Sequence, residues 1–366
     1  MIILAIVTFV LVFGLLIFVH EIGHFLVAKR MGVKVEEFGF GFPPRIFGIK
    51  RGETIYSLNL IPLGGFVKMF GQDDFDVKGN LKKSGKRNFN NKPVYKRALI
   101  IVSGVVMNFL LAWILIVIGF GVGMPVLSDG ADRFKEAEIK TNVLVMDVEA
   151  NSPAEVAEIQ ISDIVRKVNG KEIISKTELQ DLTKKNEGKK VVIEVERKEN
   201  RHLLETVLRE DPSEGEGALG IAIEESSVVK YPWYKAILIG TRETFYLTGL
   251  VAKAFYGFFK EIFVSLHISE EAAGPVGIAK MSGHVAQLGW IYLLQFVALL
   301  SINLAIINVL PFPALDGGRL LFLGIEKVRG KPVSLKIENI IHLVGFGLII
   351  VLLIAITYKD ILRFFN

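Results

Sequence analysis

Long apolar runs alternate with charged segments along the chain. Residues 1–19 carry no charge, and the apolar character continues to Ala28, interrupted by the string HEIGH, before Lys29 and Arg30 end it. Three more apolar runs cover residues 98–122, 285–310 and 339–358. Each is long enough to cross about 30 Å of hydrocarbon at about 1.5 Å per helical residue. The pattern therefore predicts an α-helical polytopic membrane protein with four transmembrane helices. The mean hydropathy of +0.45 and the 51% hydrophobic composition agree.

The first apolar run has a competing interpretation, a cleaved signal peptide. No basic segment precedes it, and it is longer than the apolar region of a signal peptide. We therefore expect residues 1–28 to form the first transmembrane helix.

The stretch 232–266 is apolar and aromatic but does not fit the pattern of a span. Charged residues interrupt it, and no uncharged run within it reaches about 18 residues. These charged residues are Lys235, Arg242, Glu243, Lys253, Lys260 and Glu261. We expect interfacial amphipathic helices here, outside the hydrocarbon core.

Positive and negative charges are distributed unevenly between the segments that join the apolar runs. Residues 29–97 hold 15 Lys and Arg against 6 Asp and Glu, whereas residues 121–230 hold 16 against 23. Short segments rich in Lys and Arg stay in the cytoplasm, so residues 29–97 are predicted to be a cytoplasmic loop and both termini to lie outside. The basic excess then needs no nucleic acid as a partner. The chain has no cysteine, which excludes disulfides and thiolate metal sites.

A charged, soluble module lies between the second and third spans, at about residues 140–212. Strand-like apolar runs alternate there with turns such as Asn169-Gly170. The string NSPAEVAEIQISDIVRKVNG, residues 151–170, resembles a PDZ domain, although Ser162 stands where a glycine is usual. We expect one inserted PDZ-like α+β domain, and another small α+β domain with similar turns stays open as the alternative.

The string HEIGH places two histidines one helical turn apart, with a glutamate beside them. His20 and His24 can hold one metal ion on one helix face, and Glu21 can take a proton from water at that ion. On a soluble surface helix the same residues would simply be solvated. Here they interrupt an apolar span, where ionisable residues cost several kcal/mol and normally face a cavity, a partner or a ligand. Nineteen residues from Met1 rise about 28 Å, so the motif is predicted near the cytoplasmic boundary of the bilayer.

A catalytic zinc needs a third protein ligand and one open position. The favoured candidate is Asp316 in NVLPFPALDGGR, residues 308–319, because prolines end the third span there and irregular backbone at membrane depth must line a cavity. If 232–266 does not cross the membrane, Asp316 lies on the same side as HEIGH. Depth alone does not exclude His342, and a helix-capping role for Asp316 is the remaining alternative.

Together these motifs resemble the site-2 protease family, and within it the bacterial regulator-of-sigma-E protease branch. The likeness extends over the whole chain and includes GGFVKM at 64–69, SGVVMNFLLA at 103–112 and GPVGIAK at 274–280. Gly104 and Asn108 match the family's G-x-x-x-N pattern, although Ser103 and Val105 flank the glycine where many members have Gly-Pro.

The resemblance implies roles for individual residues. His20, His24 and Asp316 would bind Zn²⁺, Glu21 would be the general base and later the acid, and Asn308 would hydrogen-bond the substrate backbone. A membrane-re-entrant β-hairpin or sheet at about 53–70 would accept an extended substrate on its edge, through Gly65, Phe66, Val67, Lys68 and Met69. An ordinary amphipathic cytoplasmic hairpin is the alternative for that segment. Asn108 would either contact substrate or only hold the second helix against the first.

The resemblance also implies an activity and a place in the cell. The chain would be a metalloendopeptidase of a bacterial cytoplasmic membrane that cleaves single-span membrane proteins, such as anti-sigma factors or remnant signal peptides. The active site would lie near the cytoplasmic side, with the PDZ-like domain outside as a filter for substrates already trimmed by a site-1 protease. Two rival functions remain from the residues alone: a non-catalytic membrane scaffold that presents a PDZ-like domain, and a metal transporter.

Overall fold

The computed structural model describes residues 2–72, 85–127, 133–197, 200–212, 216–265 and 274–365. Its helices are α1 (Ile2–Arg30), α2 (Val94–Val122), α3 (Pro153–Val156), α4 (Lys176–Lys185), α5 (Trp233–Ser265), α6 (Pro275–Leu288), α7 (Trp290–Val309), α8 (Asp316–Arg329) and α9 (Leu335–Phe365). Its strands are β1 (Val35–Arg51), β2 (Thr54–Met69), β3 (Met124–Leu127), β4 (Glu138–Val148), β5 (Ile164–Val168), β6 (Lys171–Glu172), β7 (Lys190–Arg197), β8 (Asn200–Val207) and β9 (Ile221–Lys230). The chain divides into two compact units, Met1–Leu115 with Arg242–Gly283 and Phe296–Asn366, and Ile116–Thr241 with His284–Gln295.

Four of the described helices are long and apolar enough to cross a membrane. They are α1, α2, α7 and the part of α9 at Lys336–Leu362. Much of their apolar surface is exposed, as lipid-facing side chains require; in α9 the exposed residues include Leu343, Phe346 and Val351. The number of spans expected from the sequence is confirmed at this level of length and composition.

Two helical segments differ from the sequence prediction. Residues 233–265 form one continuous helix of 33 residues rather than several, because no proline interrupts it and charged residues alone do not end a helix. The predicted third span, 285–310, is split by Gly289, whose φ of 119° lies outside the helical region. The apolar helix therefore begins at Trp290, and the residues before Gly289 belong to α6.

Strands β1 and β2 form a small antiparallel sheet whose pairing changes along its length. Phe38 pairs with Val67 on one side and with Tyr56 on the other, whereas residues 45–51 pair with 54–59. The first part of β1 therefore lies between two parts of β2. Residues 65–69 form an edge of this sheet, with no strand on their outer side among the described residues.

The second unit contains a seven-stranded sheet in the order β3-β9-β4-β5-β7-β8, with β6 paired to β5. It is wider than the predicted module of residues 140–212, because β3 and β9 lie outside those bounds: β3 pairs with β9, and β9 pairs with β4. Its core contains Val145, Val165 and Ile193, all fully buried. The buried carboxylate of Asp163 receives two hydrogen bonds of 2.7 Å from Arg197, which fixes the start of β5 against the end of β7.

Candidate metal centre and catalytic cavity

His20 and His24 lie on one face of α1, four residues apart, as a helix of 3.6 residues per turn dictates. Both side chains are buried, and their Nε2 atoms are 3.1 Å apart. A histidine pair so close together in an apolar span needs a proton or a cation between its lone pairs. The helix alone therefore creates a site that favours a positive charge.

Asp316 completes a triangle of ligand atoms. Its Oδ2 lies 3.1 Å from Nε2 of His20 and 3.2 Å from Nε2 of His24. Burial alone would raise the pKa of this carboxyl, but the two adjacent imidazoles lower it well below its ordinary value. Among the described residues, these three form the one group of His and acidic side chains able to hold a metal ion.

The dimensions of the triangle fit a tetrahedral zinc ion. Zinc binds imidazole nitrogen and carboxylate oxygen at about 2.0–2.2 Å, which places neighbouring ligand atoms of a tetrahedron about 3.3 Å apart. The observed separations of 3.1 to 3.2 Å match within the usual tolerance of about 0.2 Å. Three protein ligands leave the fourth position open, as in catalytic rather than structural zinc sites.

Helix α2 orients the His24 ring. Nδ1 of His24 donates to the carbonyl oxygen of Ile100 at 2.8 Å, so its proton is on Nδ1 and Nε2 keeps a free lone pair. Ser103 donates to the same carbonyl through Oγ at 2.5 Å. The backbone of α2 therefore selects the tautomer that can bind a metal.

Asn108 performs the equivalent task for His20. As placed, its Nδ2 lies 3.3 Å from Nδ1 of His20, the residue is fully buried, and its Oδ1 has no partner among the described residues. The oxygen and nitrogen of an amide have nearly the same shape, so hydrogen bonding decides which one faces the ring. With Oδ1 towards His20, Asn108 accepts from Nδ1–H and leaves Nε2 available to a metal. Ser301 of α7 donates to the Asn108 carbonyl oxygen at 2.8 Å and so ties a third helix to this pair.

Two glycines allow α1 and α2 to approach closely enough for these contacts. A Cβ on Gly23 would collide with the carbonyl group of Ser103 and lie 2.8 Å from Cγ of Met107. A Cβ on Gly104 would lie 2.5 Å from Nε2 of His24 and 2.7 Å from Cε1 of His20. Only glycine at these positions leaves the rings where they are.

The metal triad lines a cavity of about 430 Å³ that also contains Glu21 and Asn308. Glu21 follows His20 on α1, and Asn308 comes from the end of α7. The edge segment of β2 forms another wall, in which a Cβ on Gly65 would lie 3.3 Å from Cγ of Glu21. The cavity therefore brings together a metal triad, a carboxylate outside the triad, an amide and an unpaired strand edge.

Comparison with known proteins decides the family. The sequence profile of Peptidase family M50 matches residues 8–352. The chain belongs to Peptidase family M50. Zinc metalloprotease RasP from Geobacillus kaustophilus is 30% identical over 99% of this chain and 98% of its own length. The regulator of sigma-W protease RasP from Bacillus subtilis is 30% identical over 98% of this chain and 99% of its own. A Clostridium perfringens protein provisionally named a zinc metalloprotease is 35% identical over 96% of this chain and 97% of its own length.

Among solved structures, the PDZ domain of an SdrC-like protein from Listeria monocytogenes aligns with 22% of this chain and 86% of that domain. The identity is 22% and the TM-score is 0.21. This likeness does not assign a fold to the second unit of the M50 chain.

The M50 cavity brings together most of the residues singled out in the sequence. His20, His24, Asp316, Glu21 and Asn308 all line it. On the edge segment, Gly65, Phe66, Val67 and Met69 line it as well. Lys68 does not; its exposed side chain lies 4.0 Å from Glu36. Asn108 contacts His20 across the α1–α2 contact, which agrees with the interhelical alternative considered for it.

Three features of the site were not predicted. Arg319 lines the cavity, and its position three residues after Asp316 on the same helix could have indicated this. The Ile100 carbonyl carries no sequence signal, because every residue has one. Gln72, just after β2, also lines the cavity, and no motif in the sequence marks it.

Proposed function

We propose that this M50 chain is an intramembrane zinc metalloendopeptidase that hydrolyses a peptide bond of single-span membrane proteins. The observation that carries the proposal is the convergence of His20, His24 and Asp316 beside Glu21, in one cavity formed by apolar helices. Relatives named zinc metalloproteases match along nearly the whole chain and support zinc as the metal.

His20, His24 and Asp316 would hold the zinc ion. When bound, zinc supplies Lewis acidity that lowers the pKa of water and polarises a carbonyl group. Glu21 would take the proton of the attacking water and deliver it to the departing amine. Asn308, which lines the same cavity, would hydrogen-bond the substrate backbone and hold the scissile carbonyl in place.

The edge segment 65–69 would bind the substrate as an added strand. A transmembrane helix hides its peptide bonds, so cleavage requires local unwinding, and the freed N–H and C=O groups need partners inside the membrane. The outer side of 65–69 is unpaired within the described sheet and lies along the cavity that contains Glu21. Main-chain pairing there would satisfy the unwound segment and align it with the catalytic group.

The apolar outer part of the β1–β2 sheet supports insertion into the membrane. Ile46, Phe47, Ile49, Leu58 and Leu60 are all exposed. Phe47 is paired with Leu58, and directly opposite residues lie on the same face, so Phe47, Ile49 and Leu58 form an apolar face of this ribbon. Lipid solvates such a face better than water does. We propose that residues 53–70 re-enter the membrane from the cytoplasmic side, with both termini of the chain outside the cytoplasm.

The sheet of the second unit would form the substrate filter. We propose a PDZ-like domain on the outer side that admits membrane proteins after a site-1 protease has removed their outer part. Anti-sigma factors are the favoured substrate class, since the relative from Bacillus subtilis is named a regulator of sigma-W protease. Remnant signal peptides are a second class with the same single-span form.

A change of Glu21 to Gln tests the proposal. The purified full chain would be measured for zinc content and for cleavage of a labelled single-span protein, before and after chelation and zinc addition. We expect the variant to keep its zinc and to lose cleavage by about 10²–10⁴-fold, the usual size of general acid–base catalysis. Glu172→Gln, at an exposed position of β6, is the matched control and should cleave normally.

The rival functions give different results. Normal cleavage by Glu21→Gln would rule out the assigned mechanism. Zinc flux into proteoliposomes without product fragments would identify a transporter. A wild-type chain that neither binds stoichiometric zinc nor cleaves would be a scaffold.

A further inference from the structure

The segment that carries Asp316 is held in a strained conformation between α7 and α8. Ala314, two residues before the carboxylate, has a φ of 75°. This left-handed conformation is unfavourable for an alanine and persists only where surrounding contacts fix it. The position of Asp316 therefore depends on whatever holds Ala314.

A side chain of α9 provides that contact. The N–H of Ala314 donates to Nδ1 of His342 at 2.8 Å. The neighbouring N–H groups of Phe312 and Leu315 bond within the segment, to the carbonyl oxygens of Leu310 and Phe312. The Ala314 bond instead connects the segment to another helix.

The His342 ring is held by packing as well as by this hydrogen bond. Its Nδ1 accepts from Ala314, so the ring proton is on Nε2; Oε1 of Glu338, one turn earlier, lies 3.9 Å from Nε2, beyond hydrogen-bonding distance. Its ring lies against Phe322 of α8, with centroids 5.5 Å apart. The acceptor atom therefore has a defined place.

The next turn of α9 closes on the same segment. A Cβ on Gly345 would run into the Cβ of Pro313 and lie 2.9 Å from the Pro313 carbonyl oxygen. Gly345 follows His342 by three residues and so lies on the same helix face. One face of α9 thus combines a hydrogen-bond acceptor with a close backbone approach.

We propose that His342 is a positioning residue that holds Ala314, and through it Asp316, in the geometry that binds the metal. This inference rests on the proposed function of the triad. The sequence left His342 open as a metal ligand, but its ring lines a neighbouring cavity of about 580 Å³ with Glu338 and is not among the residues of the catalytic cavity. Metal sites tolerate displacements of about 0.2 Å in ligand distance, and relaxation of Ala314 to an ordinary φ would exceed that.

Two substitutions of His342 separate hydrogen bonding from packing. His342→Phe keeps a ring and removes the acceptor, whereas His342→Asn offers an amide oxygen close to the position of Nδ1. We expect His342→Phe to lower zinc affinity about 10–100-fold, as loss of outer contacts does in other metal sites. It should lower kcat more than KM, and His342→Asn should restore most of both.

A measurement on zinc-free protein tests the positioning role of His342 even if the chain is not a metalloenzyme. In zinc-free full-length protein, hydrogen exchange of the peptide containing Ala314 should be faster in His342→Phe than in wild type or His342→Asn. Gly345→Ala should weaken zinc binding in the same way. Gly347→Ala should not, because a Cβ there meets nothing within 4 Å among the described residues.

Equal zinc affinity and equal exchange in His342→Phe and wild type would overturn the proposal. So would a His342→Asn protein as impaired as His342→Phe. If exchange is faster in His342→Phe but the wild type binds no zinc, the contact between His342 and Ala314 would be supported and the proposed metalloenzyme refuted.

Discussion

Replacing Gly104 by alanine tests the metal centre with a single methyl group. Gly104 lies on α2 directly against the two imidazoles and contributes no ligand to the metal in the proposed site. A Cβ there would lie 2.5 Å from Nε2 of His24 and 2.7 Å from Cε1 of His20. The substitution therefore perturbs two ligands while removing no functional group.

The expected magnitude follows from these distances. Carbon and nitrogen atoms in contact normally lie about 3.5–4.0 Å apart, so the rings must withdraw by about 1 Å. Metal sites tolerate about 0.2 Å. Moving the helices apart would instead break the close packing of Gly23 on the backbone of α2 at Ser103. We expect zinc affinity to fall at least about 100-fold, or about 2.8 kcal/mol, the upper end of outer-contact effects.

The assay is competition for zinc with a chelator of known affinity, using purified full-length protein. Gly121→Ala is the matched control, since it lies on the same helix and its Cβ would meet no described atom within 4 Å. Gly104→Ala should lose zinc and cleavage together, and Gly121→Ala should keep both. Wild-type zinc affinity in Gly104→Ala would show that the rings do not bind the metal from their positions in this structure.

Two further substitutions test other parts of the molecule. Gly65→Ala would place a Cβ 3.1 Å from the Gly39 carbonyl oxygen and 3.3 Å from Cγ of Glu21, so we expect lower kcat with unchanged zinc content. Asp163→Ala removes a buried carboxylate that bonds Arg197 twice at 2.7 Å, and we expect the second unit to lose about 2–3 kcal/mol of stability in denaturant unfolding. Unchanged turnover in the first, or unchanged unfolding in the second, would contradict these assignments.

The spans and the triad could be predicted from the sequence because they depend on local patterns and on the number of membrane crossings. Apolar runs of about 20 residues are sufficient to identify membrane helices. The i, i+4 spacing of His20 and His24 requires a common face. The prolines around residue 312 mark the end of the third span. The number of membrane crossings between HEIGH and Asp316 then predicted that both lie on the same side of the membrane.

What the sequence did not predict depends on contacts between distant elements. The carbonyl of Ile100 and the nitrogen of Ala314 are backbone groups, and no residue type indicates which backbone groups receive a side chain. Only the family resemblance pointed to 65–69 as a sheet edge, because the pairing that leaves it at the edge, with the first part of β1 between two parts of β2, is not readable from the residues. Gly289 was one of many glycines, and only its φ of 119° distinguishes it as the break between α6 and α7.

In the structure, Asp316 lies at the same end of α1 as the histidines without the premise that residues 232–266 do not cross the membrane. Gly283 of α6 packs against Ala5 at the start of α1, where a Cβ would lie 2.6 Å from that of Ala5. Leu300 of α7 lines a cavity with Phe13 and Leu16 of α1, and Asn308, two turns later, lines the catalytic cavity with His20. Helices α1 and α7 therefore run in the same direction whatever path α5 takes. Asp316 lies near the histidines because α7 ends beside them, at the same end of α1. The metal centre therefore does not depend on whether α5 crosses the membrane.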